Sequence, residues 1–157
     1  MKLLRSLIAT GCVIALSSAT ASAELSPEWF GTWHLDVERS TFVGPAPYVR
    51  GTWKVSPAPG GEVVMIYDQV GTRGGVTHME WRGPFDGSDR RLQGPDAVVT
   101  YAYSQIDERT LNLLVKVDQR PTATARVVLS PEGTVTATAT NASARGPVTT
   151  VTVYRKR

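Results

Sequence analysis

Residues 99–117 read VTYAYSQIDERTLNLLVKV, and this stretch decides the fold. Val99, Tyr101 and Tyr103 alternate with smaller or more polar residues. Asp107-Glu108-Arg109 then interrupts, and Leu111, Leu113, Val115 and Val117 resume the alternation. Successive side chains of a pleated strand point to opposite faces, so a period of two marks a strand with one apolar face. A short polar interruption between two such runs marks a hairpin.

The same pattern extends in both directions. Trp33, Leu35 and Val37 alternate on the N-terminal side, as do Trp53 with Val55 and Met79 with Trp81; Val127 with Leu129, then Val135, Ala137 and Ala139, and finally Val151 with Val153 follow on the other. The strand over residues 134–140 carries threonine on one face (Thr134, Thr136, Thr138, Thr140), a β-branched yet wettable choice for a solvent-facing pleat. Nowhere between Glu24 and Arg157 do apolar residues recur three and four apart for long enough to support a long helix. Turn chemistry separates the runs at Pro57–Gly61, Thr72–Gly75, Asp86-Gly87, Pro131–Gly133 and Arg145–Pro147. Asp86-Gly87 is the sharpest hairpin signal, because glycine supplies positive φ at little cost. The turn at Asp118-Gln119 lacks glycine, which leaves the register of that hairpin open. About ten short strands result. A sheet of that size leaves two raw edges unless it curls and closes, so the expected fold is all-β: an up-and-down antiparallel β-barrel.

At Gly31, Thr32, Trp33, Leu35 and Asp36, followed by Ser40, Phe42 and the loop Gly44-Pro45-Ala46-Pro47, the chain resembles small exported bacterial lipocalin-like (calycin-type) β-barrel proteins. Phe85–Asp89 ending at Gly94, Ser130–Thr134 and Val153-Tyr154-Arg155 carry the resemblance to the C-terminus. It implies a barrel with Gly31 and Trp33 as structural signature, the tryptophan plugging one end, and it supplies no catalytic residues.

The N-terminus reads as a cleavable export signal over residues 1–23. Lys2 and Arg5 form the positive start, Leu7–Leu16 the apolar core, and Ala21-Ser22-Ala23 the small-residue cleavage site. The apolar run is too short to span a membrane. It also continues past Cys12 through Val13–Leu16, which argues against a lipoprotein cut at that cysteine. The expected location is therefore periplasmic or secreted. The expected mature domain, residues 24–157, has no cysteine, hence no disulfide and no thiolate site, and Pro27 is expected to start an extended entry into the barrel. Loss of Lys2 and Arg5 takes two from the 17 basic residues, leaving 15 against 14 acidic ones, so the chain has no charge-based claim on nucleic acid. The Arg155-Lys156-Arg157 cluster reads as a solvated strand end that resists edge pairing.

Candidate chemistry is sparse. Two distant histidines without cysteine give no metal spacing, and no phosphate loop, nucleophile elbow or other motif implies a cofactor. His34 and His78 alternate out of phase with tryptophans. With the tryptophans inward, both histidines face solvent and His78, Glu80 and Arg82 form an outer cross-strand ladder. A one-residue slip would turn His78 and Glu80 inward as an acid–base pair, with Tyr67, Asp68, Tyr101 and Tyr103 to complete it. The aromatic set, with Trp53, Trp81, Tyr101 and Tyr103 as candidate ligand-binding residues, suits a pocket lining and a filled core equally. Three functions follow: an exported barrel that binds or carries a small apolar molecule, a cofactor-free enzyme of cyclase or isomerase type, or an envelope interaction protein with a filled core. Oligomeric state and ligand identity are not legible.

Overall fold

The computed structural model describes residues 24–156; the expected export signal and Arg157 lie outside them. After a short 3-10 turn at Pro27–Trp29 come ten strands: β1 (Gly31–Thr41), β2 (Tyr48–Pro57), β3 (Val63–Gly71), β4 (Val76–Gly83), β5 (Arg90–Arg91), β6 (Val99–Asp107), β7 (Thr110–Val117), β8 (Arg120–Leu129), β9 (Thr134–Asn141) and β10 (Val148–Lys156). They form one antiparallel sheet in the order β4-β3-β2-β1-β10-β9-β8-β7-β6-β5. Strands adjacent in sequence pair throughout, except β4 with β5, while β1 and β10 pair with each other. The sheet thereby curls into an up-and-down barrel with a single seam between β4 and β5.

Two main-chain bonds bridge the seam. The Glu80 N–H donates to the Gln93 carbonyl at 3.0 Å and the Gln93 N–H donates to that of Glu80 at 2.8 Å. Gly94 makes this approach possible, because its φ is +115° and a Cβ there would collide with the His78 carbonyl oxygen. Side chains close the rest. The Trp81 indole N–H donates to the Tyr101 carbonyl at 3.2 Å, and the Trp81 ring lies edge-on to Tyr103 at 4.9 Å between centroids, with Phe85 against both.

Asp86-Gly87 is therefore not the tip of a β4–β5 hairpin, contrary to its sequence signal. It carries the chain from one edge of the seam to the other. Asp86 Oδ1 accepts from the Ser88 N–H at 2.9 Å, and the segment pairs with β6 through Gly87 N–H to the Tyr103 carbonyl at 2.8 Å. The β7–β8 hairpin turns on two non-glycine residues in the left-handed region, Asp118 (φ 48°) and Gln119 (φ 64°), and its register shifts between Val115 and Lys116.

The pairing settles the facing of each strand. Trp33, Trp53, Tyr67 and Met79 lie opposite one another on the inner face, and His34, Thr52, Asp68 and His78 on the outer. In β10 the inward positions belong to Tyr154, Thr152 and Thr150, opposite Val135, Ala137 and Ala139; Val151 and Val153 face outward, reversing the expected alternation. Val153 is nonetheless buried, and its N–H donates to Ser40 Oγ beside the irregularity in β1. Threonine and valine are both β-branched and populate either face of a strand, so the pattern alone could not choose between them.

One end of the barrel is filled by Trp29, Trp33, Val55, Met65, Trp81, Leu111, Leu129 and Val135. The N-terminal segment caps that end as a 3-10 turn, not as the extended entry expected at Pro27. The Trp29 indole N–H donates to the Glu108 carbonyl at 2.9 Å, and that of Trp33 to the Trp29 carbonyl at 2.9 Å. Lys156 Nζ sits 4.6 Å from the centre of the Trp33 ring, and Arg155 pairs with Asp36 at 2.6 Å. Arg155 and Lys156 thus belong to an interior strand, paired with β1 on one side and β9 on the other, and do not guard a sheet edge as the sequence suggested.

Candidate functional site: the open half of the barrel

At the opposite end the inward positions change character. Tyr67, Met79, Tyr101, Leu113, Val115, Ala125, Ala137, Ala139 and Tyr154 all point inward and all are only half-buried. Strands β7, β8 and β9 are bonded to a neighbour on each side, so the seam does not expose their inner faces. At this end the inward residues line the barrel mouth, and several of them pack against the buried core. Ala125, Ala137 and Ala139 bring only short side chains to the inner face of β8 and β9 here.

Tyrosines define the boundary between the filled and open halves. Four of the five tyrosines of the chain, Tyr67, Tyr101, Tyr103 and Tyr154, gather here around Trp53, with Tyr48 near Tyr101 and Tyr154. The hydroxyls of Tyr67 and Tyr103 are 2.7 Å apart, and the Tyr67 hydroxyl also donates to Met65 Sδ at 3.2 Å. Trp53 stacks on Tyr67 at 6.1 Å and meets Tyr154 edge-on at 6.0 Å. Its buried indole N–H has no hydrogen-bond partner among the described residues. Burial raises the phenol of Tyr67 well above its ordinary range, raises those of Tyr103 and Tyr101, and pushes that of Tyr154 up to about 12. The neighbouring phenols reinforce the rise at Tyr67, while the Thr152 hydroxyl partly offsets it at Tyr154. All four are neutral hydrogen-bonding groups at any physiological pH.

The sequence candidates divide between the two halves. Tyr101 lines the open half, whereas Trp53, Trp81 and Tyr103 lie in the packed layer beneath it. His78 and Glu80 are on the outer face: His78 Nδ1 pairs with Asp68 Oδ1 at 2.6 Å, both side chains being at least half exposed. Asp68 and Tyr67 occupy opposite faces of β3, so the residues that a register slip would have assembled into an acid–base site are not brought together. Arg82 pairs with Glu62 at 2.7 Å, continuing the outer ladder. Among the described residues no group of three or more metal-ligating side chains occurs. Depressions on the outer wall, one of about 480 Å³ beside His34, Asp36 and Arg155 and one of about 620 Å³ beside Asn112, Thr124 and Arg126, are open to solvent.

Sequence reading missed Trp29, Tyr48 and the inward role of Tyr154. Trp29 precedes the first alternation and carries no periodic signal. Tyr154 belongs to the alternation set Thr150, Thr152, Tyr154, which looked like the wet face.

No protein-family model matches the chain, and no curated protein matches it. Among solved structures the chain is similar to the fluorescent protein UnaG in its wild-type form, with a TM-score of 0.57 and 16% sequence identity over 83% of this chain and 98% of that one. A point mutant of UnaG gives a TM-score of 0.56 at 16% identity, over 83% of this chain and 96% of the other. At that identity the likeness concerns the fold alone, an up-and-down antiparallel β-barrel.

Proposed function

We propose that this protein is an exported binder or carrier that holds a small, mainly apolar molecule in the open half of its barrel. One observation carries the reading: along β7–β9, which the seam does not expose, the inward residues pass from buried at the capped end (Leu111, Leu129, Val135) to half-buried at the other (Leu113, Val115, Ala125, Ala137, Ala139). A concave, largely apolar space with a few hydroxyls is the general form of a small-molecule site. The export part of the proposal rests on the signal-like residues 1–23.

The test is to fill the space. Ala137→Phe places a ring among Val127, Thr152 and the half-buried alanines. An uncharged environment-sensitive dye such as Nile red should bind the parent protein with a blue-shifted emission and bind Ala137→Phe at least about tenfold more weakly. Equal binding by the two, with the variant's circular dichroism unchanged, would place the dye elsewhere and defeat the proposal. So would an absence of binding by any apolar probe.

A further inference from the structure

Successive strands alternate in direction, so the loops β1–β2, β3–β4, β5–β6, β7–β8 and β9–β10 all gather at the open end. This rim differs from the rest of the surface in two respects. Six large hydrophobic side chains are exposed among the described residues, and four of them stand here. They are Val43 and Val49 beside the β1–β2 loop, Val98 before β6, and Val76 after the β3–β4 turn, the most exposed of them at 72%. Charge is the second respect. The rim arginines are Arg39, Arg50, Arg73, Arg91, Arg120 and Arg145, and among the described residues none of them forms an ion pair. Fewer acids oppose them, namely Glu38, Asp96 and Asp118, since Asp68 is held by His78 and Asp89 by Lys116. The capped end has the opposite balance. Its loops carry Glu24, Glu28, Glu62, Asp86, Glu108 and Glu132, and its cations are engaged: Arg109 with Glu28, Arg82 with Glu62 and Arg155 with Asp36.

We infer that the open rim is a docking surface for a lipid bilayer with anionic headgroups, which the barrel meets mouth-first. The charge asymmetry runs along the barrel axis, so a negative surface turns the rim toward itself over a range of about 8 Å at physiological salt. On contact the guanidinium groups reach headgroup phosphates while the valines pass between headgroups into the acyl boundary. The arrangement favours a bilayer over other acidic partners. The valines come from three separate loops, and a fluid surface accommodates each of them singly, whereas a folded partner would need a continuous apolar patch. A nucleic acid would use the arginines and leave the valines in water. The inference goes beyond the proposed ligand binding and does not depend on what the barrel holds.

The test reads which end meets the lipid. Val76→Cys at the rim and Glu132→Cys at the capped end are each made in the full chain with Cys12→Ser and labelled with the fluorophore NBD. They are mixed with vesicles of phosphatidylcholine containing about 30% phosphatidylglycerol. The label at position 76 should shift to the blue, the label at position 132 should not, and pure phosphatidylcholine should move neither. Arg50→Gln, Arg73→Gln, Arg120→Gln and Arg145→Gln combined should weaken vesicle binding at least about tenfold, as should raising the salt to about 0.5 M. Residues 1–23 join the barrel at its capped end, next to the buried Leu25, so lipid contact made through them would carry position 132 in first. A response at 132 as large as that at 76, binding that ignores the four substitutions with circular dichroism unchanged, or no response to anionic vesicles overturns the inference. So does poly-glutamate that shifts the label at 76 as far as the vesicles do, since the surface would then serve an acidic protein. Nile red uptake without vesicles reads the proposed ligand binding separately.

Discussion

The hydroxyl of Tyr67 on β3 lies 2.7 Å from that of Tyr103 on β6, joining strands that flank opposite sides of the seam. Tyr103 is 3% exposed, so its hydroxyl has little recourse to water. Tyr67→Phe strands it and should cost about 1–3 kcal/mol, the penalty of a buried polar group left unpaired. Tyr103→Phe leaves Tyr67 with Met65 and should cost less. The double variant should cost less than the sum of the two, and urea denaturation of the three variants measures the coupling.

Alkali should unfold the barrel by way of the same residues. Their phenols are raised in the folded protein, with Tyr154 pushed up to about 12, against an ordinary value of 10.0. Their contribution to stability is complete below pH 10 and is lost as pH rises through the folded values. The loss is about 1.4 kcal/mol for each pH unit over which a folded phenol holds a proton that its unfolded counterpart has released. Phenolate absorbance near 295 nm should therefore appear together with the loss of near-ultraviolet circular dichroism. Smooth titration of four or more tyrosines near pH 10 with the fold intact would contradict the burial of the cluster.

The two faces of β1 should differ sharply in cost. Trp33→Ala removes a ring that is 1% exposed and should destabilise by about 3–5 kcal/mol. His34→Ala, on the outer face of the same strand, should cost under about 1 kcal/mol. Comparing the midpoints of denaturation checks both.

At the seam, Gly94→Ala should destabilise by more than about 1 kcal/mol, because the glycine combines positive φ with a backbone approach that admits no Cβ. Its signature is local: the amides of Glu80 and Gln93 should lose hydrogen-exchange protection before those of β7–β9.

The β7–β8 turn offers the opposite change. Gln119 holds φ 64° at a cost that glycine does not bear, so Gln119→Gly should raise stability by about 0.5–1 kcal/mol in thermal or urea unfolding.

Strand number, class and the inward facing of Trp33, Trp53 and Trp81 were legible because period-two alternation is a direct imprint of the pleat. The seam was not. Asp86-Gly87 has the chemistry of a tight hairpin, and only the tertiary pairing of Phe85 and Gly87 with β6 turns it into a crossing between edges. The facing of β10 was lost to the equivalence of valine and threonine as strand formers. The open half was beyond reach for a related reason: alternation tells which residues face inward, and the volume left between them depends on how Ala125, Ala137 and Ala139 meet across strands.

Finally, β1 takes one of its two neighbours from the far end of the chain, with Trp33 opposite Lys156 and Leu35 opposite Tyr154. Closing that pair means bringing together segments more than a hundred residues apart, the slowest kind of contact to gain. The cap built on Trp29 and Trp33 shares the dependence, since Lys156 belongs to it. No nascent chain can close the barrel before β10 has emerged, so β1 must wait for its second neighbour while the sequential hairpins on either side are free to pair earlier.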